Sequence, residues 1–331
     1  MGKVTDNIKI TAAFAAIYIV WGTTFLAIRF ALETIPPFMM AGLRFTIAGL
    51  LLFAWCYYRY SVSITLSDLK LPVITGLLMI FVGHGSLAWA EQYISSGFAA
   101  LLCSAIPVWM VLMGWMQSRS DRPDKFTVVG ILLGITGVAL LSVTGEEFSI
   151  STTAGSGTVI TSIIFLVGSG LFWAFGSVKS RNFNKDVPLL YSVSIQILAG
   201  GVALLLLGFI RGEIAATSVI SISFVSLTSL VYLIFLGTLV GYSSYVWLLK
   251  VSSPAKVGTY AFFNPLIAVF LGWIIADEPI TSIMIFGAAA ILVSVLLINK
   301  PFANGKVFKA SLSKQKLVQP KTESDCCPEV T

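Results

Sequence analysis

The sequence predicts an all-α membrane protein with ten transmembrane helices arranged as two inverted five-helix repeats, and three observations lead there. Of the 331 residues, 57% are hydrophobic and 11% charged, with a mean hydropathy of +0.92. A soluble domain carries about 25% charged residues, so lipid must solvate much of this surface. Ten apolar stretches can be drawn, five in each half of the chain. The halves also echo one another: PVWMVLMGW from Pro107 to Trp115 returns as PLIAVFLGW from Pro265 to Trp273. An odd number of crossings per copy makes the second copy enter from the opposite side, an architecture associated with alternating-access transport.

A spanning helix needs about 20 mostly apolar residues. The ten candidates lie near residues 10–31, 37–58, 71–91, 97–117, 126–143, 158–179, 188–210, 224–249, 255–276 and 280–298. The first carries Trp21 and Arg29, and Trp173 and Arg181 mark the end of the sixth at the same spacing. The second opens at Pro37 and the seventh at Pro188, each followed by Ala-Gly (Ala48-Gly49, Ala199-Gly200). The third holds His84 and closes on Glu91. Ser95-Ser96 precedes the fourth and Ser252-Ser253 the ninth, the two segments with the paired prolines. The eighth contributes Tyr242 and Tyr245, while Gly130 and Gly287 lie early in the fifth and tenth. The order of these matches along both halves argues against chance.

The chain therefore divides into an N-terminus (1–9), a first repeat (10–143), a polar Gly/Ser-rich linker (144–157) with Glu146 and Glu147, a second repeat (158–300) and a Lys-rich tail (301–331). The tail lacks apolar periodicity and is expected to be disordered. With the N-terminus in the cytoplasm, all of the 21 Lys and Arg except Arg29, Arg44 and Arg211 fall on the cytoplasmic side. The positive-inside rule thus predicts cytoplasmic termini, an extracytoplasmic linker and a multi-pass protein of the plasma (inner) membrane. Topology and anionic lipid headgroups account for the net charge of +6 without nucleic acid. Cys56 and Cys103 read as small apolar residues within helices, and the adjacent Cys326 and Cys327 lack metal-ligand spacing.

Four stretches carry a family resemblance: YIVWGTTFLAIRF from Tyr18, PPFMMAGLRFTIAGLLL from Pro36, AEQYISSGFAALLCSAIPVW from Ala90, and SSPAKVGTYAFFNPLIAVFLGWIIADE from Ser252. Over roughly residues 10–300 the chain resembles the EamA-type permeases, the ten-helix branch of the drug/metabolite transporter superfamily. The resemblance implies helices one to four and six to nine around a central cavity, with five and ten outside. It also implies transport of small metabolites or amino acids, often as export, without naming a substrate.

Polar groups at membrane depth are costly and mark candidate sites. Arg44 lies seven residues past Pro37, about 10 Å into its helix at 1.5 Å per residue. It could clamp an anion or carboxylate with its planar fork of donors, or serve as a structural or snorkelling arginine. His84, the only histidine, and Glu91 lie two helical turns apart and could form a proton-coupling path. The plainer alternative is a hydrogen-bonded His84 and a wet interfacial Glu91. Pro107 and Pro265, read as helix-interior prolines near the midplane, could be paired hinges or static kinks. Trp109 and Tyr260 are candidate pocket aromatics. Asn264 precedes Pro265, and Gln196 is one position from the repeat mate of Arg44, Ile195. A lone histidine argues against a metal site.

The sequence thus reads as a secondary transporter, an exporter of a small polar or amphipathic metabolite working by alternating access. No phosphate-binding loop accompanies it, so a gradient or passive flow drives transport; no cofactor is expected and proton coupling is the candidate drive. Expected partners are the substrate and the lipid bilayer, with a homodimer left open. An intramembrane enzyme lacks a nucleophile–base set or metal ligands, and a channel lacks an evident filter loop or charged ring.

Overall fold

A computed structural model describes residues 2–60, 64–94, 96–118, 122–144, 156–213, 222–276 and 282–299. Ten helical units appear among them: α1 (Gly2–Ala31), α2 (Pro37–Arg59), α3 (Leu66–Ala90), α4 (Ser96–Cys103 and Ile106–Gln117), α5 (Lys125–Thr144), α6 (Ser156–Ser180), α7 (Leu189–Ile210), α8 (Phe224–Val251), α9 (Pro254–Gly258 and Tyr260–Ala276) and α10 (Ser282–Asn299). Six described helices are long and apolar enough to cross a membrane unbroken: Asn7–Ala31, Pro37–Arg59, Leu66–Ala90, Ile160–Ser180, Leu189–Ile210 and Phe224–Val251. Large apolar side chains cover the outer surface, among them Trp55, Leu132, Phe209 and Phe286. Such a surface is stable only with hydrocarbon as its solvent. The tail and all but the ends of the linker lie outside the described residues.

The packing follows a pseudo-two-fold axis that exchanges helix n with helix n+5. Helices α2 and α7 pack on each other, as do α5 and α10, and α4 and α9. Contacts of α1 with α8 and α9 are mirrored by those of α6 with α3 and α4, and those of α3 with α7 by α2 with α8. The helix ends show the inversion. At one end Met39 N donates to Glu213 Oε2 at 2.8 Å and Ser223 N to Thr34 Oγ1 at 3.1 Å. At the other, Asn184 Nδ2 donates to Asp68 Oδ1 at 2.8 Å and Lys250 Nζ to the Phe183 carbonyl at 3.0 Å.

Several helices differ from the sequence expectation. The third starts at Leu66, ahead of Pro72, because Asp68 and Thr65 form a capping box. It and its mate α8 each widen into a π-helical stretch, Leu77–His84 and Leu233–Tyr242. The fourth and ninth segments are each broken, at 104–105 and at Thr259. Pro107 therefore occupies the first turn of a new helical piece, where its missing N–H costs nothing, and is not helix-interior. Pro265 is helix-interior as expected.

Small residues set the helix spacing, as they must where lipid supplies no hydrophobic drive between helices. A Cβ on Gly76 would sit 2.1 Å from the Gln196 carbonyl oxygen, and one on Gly200 would sit 2.3 Å from Ile80 Cβ. Gly168 has nothing within 4 Å. Gly76→Ala should lower the thermal midpoint of the purified protein, at a cost of about 1–3 kcal/mol for overpacking; Gly168→Ala should leave it at or slightly above wild type. Fluorescence-detected size exclusion after heating distinguishes the two.

Candidate functional site

A cavity opens among α1, α2, α3, α4, α6 and α9. Neither α5 nor α10 reaches it; they pair beside the bundle around Ile131, Val138, Phe262, Ile291 and Ile298. Its floor is aromatic. Trp21 meets Trp173 edge-on at 5.9 Å between centroids and Tyr260 at 4.8 Å, with Tyr245 packed beneath at 4.9 Å from Trp21. The polar edges of the two indoles are committed: Trp21 Nε1 donates to the Gly237 carbonyl and Trp173 Nε1 to the Tyr245 hydroxyl, both at 3.0 Å. What the indoles offer a ligand is ring surface.

Arg44 enters the cavity from α2, which starts at Pro37 and has its first-turn amide at Met39 capped by Glu213. Burial holds the Glu213 carboxyl above its ordinary range, against the stabilising pull of that amide and of Arg211. Arg44 is 2% exposed. Its Nε donates to Thr238 Oγ1 at 2.8 Å, and the guanidinium lies 4.7 Å from the Phe45 ring centroid. Thr238 belongs to the π-helical stretch of α8, where its hydroxyl also donates to the Leu233 carbonyl, five residues back, at 2.9 Å. Gly237 is the companion requirement, since a Cβ there would stand 3.0 Å from Arg44 Nη2. The π turn thus places a hydroxyl and an absent side chain beside one guanidinium.

Of the sequence candidates, the fold brings Arg44, His84, Tyr260 and Asn264 together on the cavity wall. His84 packs between Phe45, tilted at 4.7 Å, and Trp173, edge-on at 5.2 Å, and its ring makes no hydrogen bond among the described residues. Asn264 is 2% exposed with its Oδ1 unpartnered. Glu91 does not line the cavity, and it is not the wet interfacial carboxylate of the plainer alternative. It is 8% exposed with both oxygens unpartnered, at the buried end of α3 near Ala90 and Ile94. Trp109 lies behind the wall against Gly170, its indole N–H buried and unpartnered. Gln196 is fully buried outside the cavity, donating to Thr75 Oγ1 at 2.8 Å and Ser180 Oγ at 2.9 Å. Near-equivalent positions in the two repeats, Arg44 and Gln196, therefore each tie the second helix of one repeat to a threonine on the third helix of the other.

Thr238 and Phe25 escaped the sequence reading. A signal existed: GHGSLAW from Gly83 and GYSSYVW from Gly241 align, pairing His84 with Tyr242 and marking both π stretches. In space this match is reciprocal, since a Cβ on Gly83 would meet Trp173 at 3.1 Å and one on Gly241 would meet Trp21 at 2.5 Å.

Ten apolar helical units among the described residues, six of which line a polar-studded cavity, define a multi-pass membrane transporter. The chain belongs to the EamA-like transporter family, which matches residues 8–143 and again residues 146–300. It is 33% identical over 288 residues, 87% of its own length and 89% of the relative's, to the uncharacterized inner membrane transporter YedA of Escherichia coli strain K12. Identity is 28% to the uncharacterized transporter YvbV of Bacillus subtilis strain 168, over 86% of this chain and 90% of that one. It is 26% to a protein of Escherichia coli K12 named a probable amino-acid metabolite efflux pump, over 85% and 91%. A solved crystal structure superposes with a TM-score of 0.70 at 18% identity, covering 88% of this chain and 96% of its own, which shows the shared fold.

Thr238→Val should leave the buried Arg44 Nε without its acceptor and cost about 1.5–3 kcal/mol, the scale of a hydrogen bond to a charged group. Thr238→Ser should retain most of that stability. Thermal denaturation of both variants in the same detergent checks this.

Proposed function

We propose that the chain is a secondary carrier of the plasma (inner) membrane that exports a small amphipathic metabolite by alternating access, rocking one five-helix repeat against the other. The observation that carries this is an asymmetry between repeat mates. Phe25, His84 and Leu87 line the cavity, whereas their mates Ser177, Tyr242 and Tyr245 are at most 1% exposed. Exchanging the conformations of the two repeats would close the first set and open the second, producing a cavity at the opposite end without new packing rules. The basic residues Arg59, Lys70, Arg122, Lys125, Lys179, Lys185 and Lys250 gather at the end where the mates are sealed, which the positive-inside rule assigns to the cytoplasm. On that orientation the cavity faces outward, and both termini are cytoplasmic.

The carrier reading is tested by single cysteines in a background with the four native cysteines replaced. Phe25→Cys and Ser177→Cys should each react with impermeant maleimide from opposite faces, and conditions that raise labelling at one should lower it at the other. A channel-like permease would expose both at once, and that outcome would remove the carrier.

Proton coupling is the drive favoured by Glu91, a buried carboxyl with both oxygens unpartnered. A group so placed is far less costly neutral than charged. Transport in proteoliposomes should respond to an imposed pH difference, and Glu91→Gln should flatten that response while the protein still inserts and folds. Identical rates with and without the gradient in the wild type would dismiss the proton.

A further inference from the structure

The lining of the cavity fixes the charge of what it can hold. Two of its hydroxyls have committed their protons, Thr24 Oγ1 to the Trp21 carbonyl at 2.8 Å and Ser169 Oγ to the Leu166 carbonyl at 2.7 Å, and keep acceptor capacity only. The indole N–H groups of Trp21 and Trp173 are spent as well. Further polar capacity lies at the terminal nitrogens of Arg44, the His84 ring, the Asn264 amide, and the Tyr260 hydroxyl and Cys103 thiol of the lining. No carboxylate lines the cavity among the described residues; Glu91, the one buried acid among them, is outside the lining but within electrostatic range of Arg44. The lining therefore offers one positive charge, no carboxylate in direct reach of a bound cation, and a floor of aromatic ring surface.

We propose that the cavity accepts a small aromatic or flat apolar monoanion, with its carboxylate on the Arg44 fork and its apolar body on the Trp21, Trp173 and Tyr260 floor, in preference to cations and zwitterions. The inference deepens the carrier reading by naming the substrate class of the same cavity. A cation would be welcome on aromatic faces alone, but here it would share a low-dielectric chamber with the guanidinium and find no carboxylate on the lining to pair with. A zwitterion places its carboxylate equally well on Arg44 and brings an ammonium that must be desolvated without a counter-ion. Asn264 Oδ1 is an acceptor suited to a neutral O–H or N–H on the same ligand. Thr238 and Gly237 act as positioning residues, holding Nε and clearing room beside Nη2 so that the fork has one orientation.

The experiment is equilibrium binding to the full chain in lipid nanodiscs by calorimetry, with four small phenyl probes that differ in charge: phenylacetate, phenylacetamide, phenethylamine and phenylalanine. Phenylacetate should bind at least about tenfold more tightly than its neutral amide, the scale of one charge-assisted hydrogen bond, and phenethylamine should bind weakest. Phenylalanine should fall below phenylacetate. Arg44→Gln should erase the difference between acid and amide while leaving the amide's weak binding in place. Arg44→Lys should keep a reduced preference, since the charge survives and the fork does not. The proposal is overturned if the amine or the zwitterion binds as tightly as phenylacetate, if acid and amide bind alike to the wild type, or if phenylacetate shows no saturable binding up to its solubility limit. Because the readout is binding, it separates from the carrier reading: a protein that ranks the probes as expected yet shows no alternating cysteine accessibility supports the substrate class and refutes the transport cycle.

Discussion

Close approach of helix backbones at glycine is the constraint on which this molecule depends. In lipid the apolar surface of a helix gains little by leaving solvent for another helix, so association rests on packing and on the few polar contacts available. The clearance at Gly76 and Gly200 brings α3 and α7 so near that a single added methyl group would overlap a carbonyl oxygen or a neighbouring side chain. The same nearness lets Gln196 reach Thr75 and Ser180. Across the axis, α2 comes close enough to α8 for Arg44 to reach Thr238. The polar tethers are consequences of the spacing, and the spacing is a consequence of where side chains are absent.

The π-helical stretches convert that scaffold into a site. An extra residue in a helical turn changes the phase of everything beyond it, and such stretches are common at functional positions. In α8 the stretch turns Gly237 and Thr238 toward Arg44 and presents the Gly237 carbonyl to Trp21. In α3 it ends on His84 and delivers that ring into the cavity between Phe45 and Trp173. One local distortion, repeated by symmetry, thus orients a ligand-facing ring in one copy and a supporting hydroxyl in the other.

Much of this was legible in the sequence, and the gaps have physical causes. Ten segments and two repeats follow from hydropathy and from the recurrence of Pro, Gly and Trp, because the bilayer imposes length and composition on any spanning helix. Arg44 was legible because a guanidinium at that depth is costly without a purpose. Helix breaks at 104–105 and Thr259 were not, since a broken and an unbroken apolar run have the same composition. Burial of Glu91 was also hidden: its position at a helix end suggests water, and only the folded arrangement of the helices encloses it. Gln196 looked like a site residue by its nearness to the mate of Arg44. The fold buries it fully outside the cavity, tied to Thr75 and Ser180, which no linear pattern reports.

That difference between mates bears on how the chain can work at all. Two repeats with equivalent helices could have closed symmetrically around an inaccessible centre. Instead the mates of Phe25, His84 and Leu87 are packed away in this conformation, and the polar chemistry of the two copies has diverged: Arg44 against Ile195, His84 against Tyr242. In the proposed carrier, symmetry in the backbone would keep two openings close in energy, since each would be built from the same kinds of helix contact. Asymmetry in the side chains would then give a ligand different chemistry at each opening, a guanidinium on one side and tyrosine hydroxyls on the other. A ligand shifts a two-state equilibrium only through its differential affinity for the two states. On that proposal, the divergence between the copies would supply the differential and the shared backbone plan would keep the scaffold itself nearly neutral.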